Sequence, residues 1–422
     1  MTMKMTKTEY PGIGETLYIG ELENGLQIRV VPKPGFSSFY AVYGTNYGGA
    51  MRRFDVDGVT TDTPAGVAHF LEHKMFDLPN GDNALTLLSA SGADPNAFTS
   101  SGLTCYYFHC TENFEENLKL LLHFVSTPYF TPETVQKEQG IIGQEIQMGE
   151  DQPGSVLYYN LLGLLYAHHP IKDKIAGTIA SIAEITDRTL YDCHKVFYAP
   201  SNMVLCVEGD VDPERIFAIA EEELPKVRLP IPHADYGEAE GPLPVQGRKS
   251  VEMAVSSPLF YVGAKVNPDA AVREKLIGAL SLRLLMGLSS PLYTRLYASG
   301  ILRRDFDFEI DYSAGTGTVL IGGESPDPDR FLAELNAEIA SLSIDPDYFD
   351  RTKRASIGSR LRSLEDFEDV CLSLLTGIFE GYCSFEVMDL LKSITKDECE
   401  AWIRDNLSPE KLAISIIVPG KV

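Results

Sequence analysis

The stretch LPKVRLPIPHADYGEAEGPLPVQGR, residues 224–248, divides the chain into two parts of domain size. It is rich in proline and glycine and has no clear hydrophobic periodicity, which is typical of a linker. A chain of 422 residues is long enough for two or three domains at roughly 100–200 residues each. We therefore predict an N-terminal domain at 1–223, a linker at 224–248 and a C-terminal domain at 249–422.

The two parts contain similar elements in the same order. Each has a strand-like run, a helical stretch, a second helical stretch with proline near its start, and a final apolar strand. These are residues 104–110, 113–125, 131–146 and 201–211 in the first part, and 318–323, 327–341, 345–361 and 411–420 in the second. Such elements predict an α+β fold of two homologous domains, each a mixed, mainly antiparallel sheet with helices on one face. Two unrelated α+β domains would give a similar pattern.

The sequence GVAHFLEHKMF, residues 66–76, carries the chemistry. Its apolar residues recur at helical spacing, so His69 and His73 lie one turn apart on one helix face, where they can share a metal ion. The pattern H-x-x-E-H is the inverzincin signature. It predicts a zinc site in which Glu72 takes a proton from water and later passes it to the leaving amine. Three polar residues on a solvated helix face are the structural alternative.

A catalytic zinc ion needs a third protein ligand, and residues 137–146 offer two glutamates. Glu138 and Glu145 are seven residues apart, which is two helical turns, so both face the same way. One would bind the metal and the other would orient a ligand histidine. From these residues alone, a solvated helix face is the simpler interpretation.

Together these motifs resemble the pitrilysin/insulinase family of zinc peptidases, which includes the mitochondrial processing peptidases. The resemblance runs through HFLEH (69–73), SGADPNAFTSSGLTCYYF (91–108), KEQGIIGQEIQM (137–148), HPIKDKIAGTIASIAEIT (169–186) and YAPSNMVLCVEGDVD (198–212). It covers nearly all of residues 15–215 and is weaker in the second half. The family's duplicated α+β architecture agrees with the internal repeat.

The resemblance implies one Zn²⁺ per chain, held by His69, His73 and Glu145. Metal binding goes to Glu145 because the family uses the later of the two glutamates. Glu138 then has the supporting role, and Glu72 is the general base.

The resemblance also implies a substrate site at Asn96, Ala97 and Phe98. These residues would lie on an exposed edge strand that a peptide could extend by β-augmentation, with Asn96 holding the peptide backbone near the zinc. On the residues alone, an ordinary strand after a glycine-containing turn is the simpler interpretation.

The sequence departs from the family in its second half. Active members carry an arginine and a tyrosine, seven residues apart, that help to bind the substrate carbonyl or the oxyanion. Here the arginine position falls at or near Tyr297, and the tyrosine position near Arg303 or Arg304. We therefore predict a homodimer or heterodimer in which a related chain supplies the pair. Local replacement by Arg295, Arg303 or Arg304 is the alternative.

Composition excludes several other partners. The net charge of −24 argues against binding to nucleic acid and to anionic membrane. No signal-peptide pattern and no uninterrupted apolar run of spanning length occurs, so no spanning helix is expected. Seven cysteines, an odd number without a CxxC pair, favour a reducing cytoplasm over a disulfide scaffold.

We expect a zinc-dependent endopeptidase that hydrolyses peptides or small unfolded proteins by metal-activated water, within a dimeric chamber of the family's kind. A non-catalytic structural or regulatory subunit of a larger processing complex is the alternative function. The intact H-x-x-E-H motif favours the enzyme.

Overall fold

The computed structural model describes residues 5–303 and 305–420. Within this part of the chain the strands are β1 (Met5–Tyr10), β2 (Glu15–Glu21), β3 (Gln27–Pro32), β4 (Phe39–Thr45), β5 (Arg53–Val56), β6 (Val59–Asp62), β7 (Ala93–Thr99), β8 (Thr104–Cys110), β9 (Met203–Gly209), β10 (His233–Ala234), β11 (Arg248–Met253), β12 (Leu259–Lys265), β13 (Phe306–Asp311), β14 (Thr318–Glu324) and β15 (Ala413–Pro419).

The α-helices of the same residues are α1 (Val67–Lys74), α2 (Ala84–Ala90), α3 (Phe114–Ser126), α4 (Pro132–Asp151), α5 (Pro153–Leu165), α6 (Ile179–Ile182), α7 (Asp187–Phe197), α8 (Pro213–Glu223), α9 (Val272–Met286), α10 (Pro291–Ala298), α11 (Pro328–Ala340), α12 (Pro346–Ser363), α13 (Phe367–Glu380), α14 (Val387–Ser393) and α15 (Lys396–Asn406).

The chain forms two compact units, and each takes segments from both halves of the sequence. Of the described residues, the first unit contains 5–146, 174–235 and 361–385, and the second contains 147–173, 236–360 and 386–420. The domains predicted at 1–223 and 249–422 are each one continuous stretch of sequence. In the structure the two halves exchange a helical segment, since 147–173 belongs to the second unit and 361–385 to the first. The predicted linker, 224–248, divides between the units after Asp235.

The first unit is built on a seven-stranded sheet of order β1-β2-β3-β9-β4-β8-β7. Its neighbouring strands are antiparallel except β3 and β9, which are parallel. A small antiparallel sheet of order β10-β5-β6 belongs to the same unit. Strand β7 lies at one edge of the large sheet, next to β8.

The second unit contains a five-stranded sheet of order β11-β15-β12-β14-β13. Only β11 and β15 are parallel among its neighbouring strands. Both large sheets are thus mixed and mainly antiparallel, and the predicted α+β fold of two homologous domains is confirmed.

The seven-stranded sheet carries helices on both faces, because α13 covers the face that the unit's other helices leave open. Alternate residues of β4 point to opposite faces of this sheet and pack in different clusters. Ala41 and Tyr43 lie in the core beneath α1, α3 and α7. Tyr40 and Val42 pack in a second cluster that includes Leu375 of α13.

The five-stranded sheet is covered in the same way by α5, whose sequence PGSVLYYNLLGLL is apolar on most sides, as expected of a buried helix. Leu161 of this helix clusters with Leu320 and Ala413 of the sheet. Gly263 of β12 permits the close approach, since a Cβ there would lie 2.7 Å from Leu161 Cδ2.

Among the described residues, one helical segment, Val272–Ala298, is long and apolar enough by length and composition to cross a membrane. The bent pair Phe367–Glu380 and Ser384–Ser393 passes the same test when its two helices are taken together. The mean hydropathy of 1.3 belongs to Val272–Ala298 and is an average that includes polar residues. Because these polar residues interrupt the segment, it contains no uninterrupted apolar run that would predict a spanning helix there. Within the protein, 61% of the apolar window is buried. We therefore interpret α9 and α10 as core helices of the second unit.

Glu240 anchors the second part of the predicted linker to the second unit. Its carboxylate accepts hydrogen bonds from the backbone N–H groups of Ala167, His168 and His169, at 3.1, 2.6 and 2.9 Å. Lys265 Nζ lies 3.6 Å away. Burial alone would raise the pKa of Glu240, but the three N–H donors and Lys265 lower it to about 2.

We expect Glu240→Gln to lower the stability of the protein at pH 7 by about 1–3 kcal/mol, seen as a melting temperature lower by roughly 2–8 °C. Because the folded pKa lies below the ordinary value, the ionised carboxylate stabilises the fold fully above about pH 4.5. This contribution is lost as the pH falls towards 2, so the difference between variant and wild type should shrink by pH 3.

Thermal unfolding at pH 7 and pH 3 measures this difference, with Glu238→Gln as the matched control. The Glu238 side chain is 87% exposed, and its removal should change stability little at either pH. Equal effects of the two substitutions at pH 7 would contradict the anchoring role of Glu240.

Candidate metal centre

Helix α1 begins at a site that only glycine can occupy. Its N-cap, Gly66, has φ of 100°, and a Cβ there would lie 2.7 Å from the carbonyl oxygen of Ala176. Ser181 Oγ donates a hydrogen bond to the carbonyl oxygen of Ala65 at 2.8 Å. The segment around 176–181 therefore fixes where α1 starts, and with it the direction of the side chains that follow.

The helix buries its apolar side and leaves its polar side towards α4. Val67, Phe70 and Leu71 are in the core of the first unit. His69 and His73 are partly buried, with side chains 16% and 23% exposed, and their ring centroids are 4.6 Å apart. The predicted pairing of the two histidines on one helix face is thus present.

Helix α4 brings Glu145 to the two histidines. Glu145 Oε2 lies 3.7 Å from His69 Nε2 and 3.6 Å from His73 Nε2. One ligand atom from each residue lies within 4.8 Å of the others, and among the described residues these three form the group of histidine, cysteine and acidic side chains that could hold a metal ion.

The donor set fits zinc. Two imidazole nitrogens and one carboxylate oxygen are typical of catalytic zinc, whose tetrahedral ligands at about 2.0–2.2 Å from the metal lie roughly 3.3–3.6 Å apart. The two distances to Glu145 Oε2 are close to this range. With three protein ligands, a tetrahedral ion would keep its fourth position for water.

Glu138 supports His73 from the other side of the ring. His73 Nδ1 lies 3.0 Å from Glu138 Oε1, so that Nδ1–H donates to the carboxylate and Nε2 is left for the metal. Lys74 Nζ lies 4.0 Å from Glu138 Oε2 and also pairs with Asp77. The two glutamates of α4 therefore contact opposite ring nitrogens of one histidine, as the predicted division of roles requires.

The two histidines differ in their electrostatic surroundings. Burial, together with the neighbouring His73, lowers the pKa of His69 to about 4, so this ring is neutral at pH 7. Burial also acts to lower the pKa of His73, but the hydrogen bond to Glu138 and the nearby carboxylates raise it overall. His69 Nδ1 is buried and has no hydrogen-bond partner among the described residues. The supporting carboxylate thus serves only His73.

We expect Glu138→Gln to weaken zinc binding by roughly 10–100-fold without abolishing it, because the variant keeps an acceptor for His73 Nδ1–H but loses its charge. Competition with a chromogenic chelator measures the dissociation constant. Glu133→Gln, an exposed change at the start of the same helix, is the control. An unchanged constant for Glu138→Gln would contradict the supporting role.

Glu72 is held by a residue that sequence reasoning did not single out. Thr99 Oγ1 donates a hydrogen bond to Glu72 Oε2 at 2.6 Å, and among the described residues Glu72 accepts no other hydrogen bond. Burial raises the pKa of Glu72, and the bond from Thr99 opposes the rise. Thr99 has no spacing signal relative to the motif; only its place in the quoted stretch 91–108 pointed to this region.

Asn96, Ala97 and Phe98 lie on β7, which is an edge strand as predicted. Asn96 is exposed, and its Oδ1 accepts a hydrogen bond from the backbone N–H of Ala97 at 2.9 Å. Ala97 packs against the core on the α1 side of the sheet, whereas Phe98 packs in the cluster on the other side. Their predicted contact with substrate remains a prediction.

Two candidate replacements for the missing arginine, Arg295 and Arg303, lie in the second unit. Arg295 is engaged by Glu338 at 2.9 Å and by Glu334 at 3.6 Å. Arg303 Nε lies 3.9 Å from Glu324 Oε1. Arg304 lies outside the described residues. Arg295 therefore has local partners, which weakens the case that it replaces the missing side chain.

One histidine outside the metal centre, His169, has a structural role. His169 is buried and caps the short 3₁₀ helix that begins at Pro170. Its Nδ1 accepts a hydrogen bond from the backbone N–H of Ile171 at 3.0 Å.

Comparison with known proteins identifies the family. Residues 58–179 match the model described as insulinase (peptidase family M16), and residues 184–356 match the model described as the peptidase M16 inactive domain. A zinc protease of Bacillus subtilis strain 168, named YmfH and described as uncharacterized, is 37% identical over 426 residues, which cover 97% of this chain and 98% of that protein. The chain belongs to the insulinase (M16) family. Membership supports a peptidase role for the chain.

Other insulinase-family proteins share the fold or part of the sequence. A zinc protease of Mycobacterium leprae, ML0855, is 32% identical over 164 residues, covering 38% of this chain and 37% of that protein. The crystal structure of an M16-like peptidase from Alicyclobacillus acidocaldarius has a TM-score of 0.91 and 30% identity, covering 100% and 99% of the two chains. Pitrilysin shows the same fold at 16% identity, with a TM-score of 0.79 over 47% of its length.

Proposed function

We propose that the chain is a zinc-dependent endopeptidase that hydrolyses peptides or small unfolded proteins. The observation that carries the proposal is the convergence of His69, His73 and Glu145 within 4.8 Å, beside a glutamate held on the same helix turn. The zinc-protease names of insulinase-family relatives support the choice of metal.

The residues divide the work of hydrolysis. His69, His73 and Glu145 would hold the zinc ion, which when bound makes a water molecule more acidic and polarises a carbonyl group. Glu72 would take the proton of the attacking water and later deliver it to the amine of the departing peptide. Its raised pKa suits both steps, because a carboxylate with a higher pKa binds the proton more readily.

The substrate would bind along the free edge of β7. An extended peptide can pair with an exposed edge by main-chain hydrogen bonds, which fits cleavage of unfolded substrates. The Ala97 N–H now bonds to the neighbouring Asn96 side chain, and a peptide carbonyl would take its place. Asn96 would then be released to hold the peptide backbone.

We propose in addition that the chain acts as a homodimer or with a related chain, within a dimeric chamber. The second half lacks the family's arginine–tyrosine pair in its usual form, and Arg295 is already paired with Glu338. In the pairing with a related chain, that chain would supply the arginine–tyrosine pair; a second copy of this chain would lack it as well. A cytoplasmic location is proposed because the seven cysteines are all free and six of them are buried.

Digestion of a pool of unstructured peptides, analysed by mass spectrometry, tests the proposed activity. We expect endoproteolytic products that disappear on addition of a zinc chelator and return with zinc. The assay should be run on the native particle, together with any related chain that copurifies. A native particle that binds zinc and cleaves nothing would instead favour the structural or regulatory subunit.

A further inference from the structure

The proposed base and the proposed substrate strand are joined by one short hydrogen bond. Thr99 is the last residue of β7, and its hydroxyl donates to Glu72 Oε2 at 2.6 Å. Both side chains are partly buried, so water competes weakly for this bond. The bond therefore links helix α1 directly to the sheet edge.

The position of Thr99 follows from the alternation of a β-strand. Ala97 packs with the core on the α1 side and Phe98 with the cluster on the opposite side. Thr99, two residues after Ala97, returns to the α1 side. Thr99 therefore lies on the side of β7 from which its hydroxyl reaches Glu72.

The Thr99 hydroxyl is itself located by a second threonine across the strand pair. Thr104 of β8 is the register partner of Thr99, and its Oγ1 lies 3.3 Å from Thr99 Oγ1. Thr104 is fully buried and donates to the carbonyl oxygen of Tyr47 at 2.9 Å. Its place is thus fixed by the core, and it restricts the rotamer of Thr99.

We infer that Thr99 is a positioning residue, which holds one carboxylate oxygen of Glu72 by its hydrogen bond. The other oxygen of Glu72 then faces the attacking water, in a fixed position relative to a peptide bound on β7. The inference rests on the proposed peptidase function. Thr99 would touch neither the metal nor the reacting atoms. Its loss should therefore reduce the rate of turnover more than zinc binding or substrate affinity.

Steady-state kinetics of the native particle on a fluorogenic peptide, with zinc content and melting temperature, test the inference. Thr99→Val keeps the shape without the hydroxyl and should lower kcat by roughly 10–100-fold, with KM and zinc content close to wild type. Thr99→Ser keeps the hydroxyl and should stay within a few-fold of wild type. Thr99→Ala is a second variant without the hydroxyl, in case valine disturbs packing.

The matched control is Ser100→Ala. Within the described part of the chain the Ser100 hydroxyl bonds inside the turn, to the N–H groups of Gly102 and Leu103 and the carbonyl of Leu103, so its loss should leave kcat near the wild-type value. The inference is overturned if the valine and alanine variants keep wild-type kcat, or if both lose zinc or folding together with activity. If wild type and Ser100→Ala bind zinc and cleave nothing, the peptidase proposal itself fails.

Discussion

Glu72→Gln should bind zinc and fold like the wild type but lose peptide hydrolysis by about 10²–10⁴-fold in kcat. Glutamine has nearly the same shape and can still accept the hydrogen bond from Thr99 Oγ1, but it cannot take a proton from water. The expected loss is the largest of any single substitution that keeps the metal. Initial rates on a fluorogenic peptide, normalised to zinc content, measure it.

The control for this experiment is a glutamate on a nearby element that has no part in the chemistry. Glu115 of α3 pairs with Arg215 at 2.8 Å, and Glu115→Gln should leave turnover unchanged. Hydrolysis at the wild-type rate by Glu72→Gln would show that another group accepts the proton, and the assignment of the base would be wrong.

Glu145→Gln is expected to remove most of the bound zinc and with it the activity. An amide is a poorer zinc ligand than a carboxylate, and the loss would leave two histidines, which rarely hold a catalytic ion alone. The Glu145 side chain is 48% exposed, so the substitution should cost the metal-free protein little stability. Zinc per chain, measured after dialysis, should fall from about one towards zero.

The same charge change elsewhere on α4 separates metal binding from general electrostatics. Glu150→Gln lies five residues further along the helix, outside the group of three ligand residues. It should keep about one zinc per chain. A loss of zinc from both variants would mean that the charge of the helix, rather than ligation by Glu145, retains the ion.

The zinc centre could be predicted from the sequence because most of it is local. His69, Glu72 and His73 lie within two turns of one helix, where spacing alone determines which side chains share a face. The choice between Glu138 and Glu145 needed the family resemblance, since both glutamates face the same way. The structure separates them physically, with Glu138 at Nδ1 and Glu145 at Nε2 of His73.

Long-range pairings could not be predicted in this way. The exchange of α5 and α13 between the two units depends on which sheet face each helix covers. The spacing of apolar residues shows that a helix has a buried face, but it does not show which sheet that face packs against. Thr99 meets Glu72 across 27 positions of sequence, through strand alternation and the register of β7 with β8. In the sequence, Glu240 is one of two glutamates in the predicted linker. Its role could not be predicted, because it depends on hydrogen bonds from the backbone N–H groups of residues 167–169.

Native mass spectrometry of the purified protein beside Glu145→Gln tests the central claim most directly, because it counts metal ions per chain whether or not a partner is needed for turnover. We predict one zinc ion on each wild-type chain and none on the variant. A wild-type chain without zinc, or equal zinc on both proteins, would contradict the metal centre formed by His69, His73 and Glu145.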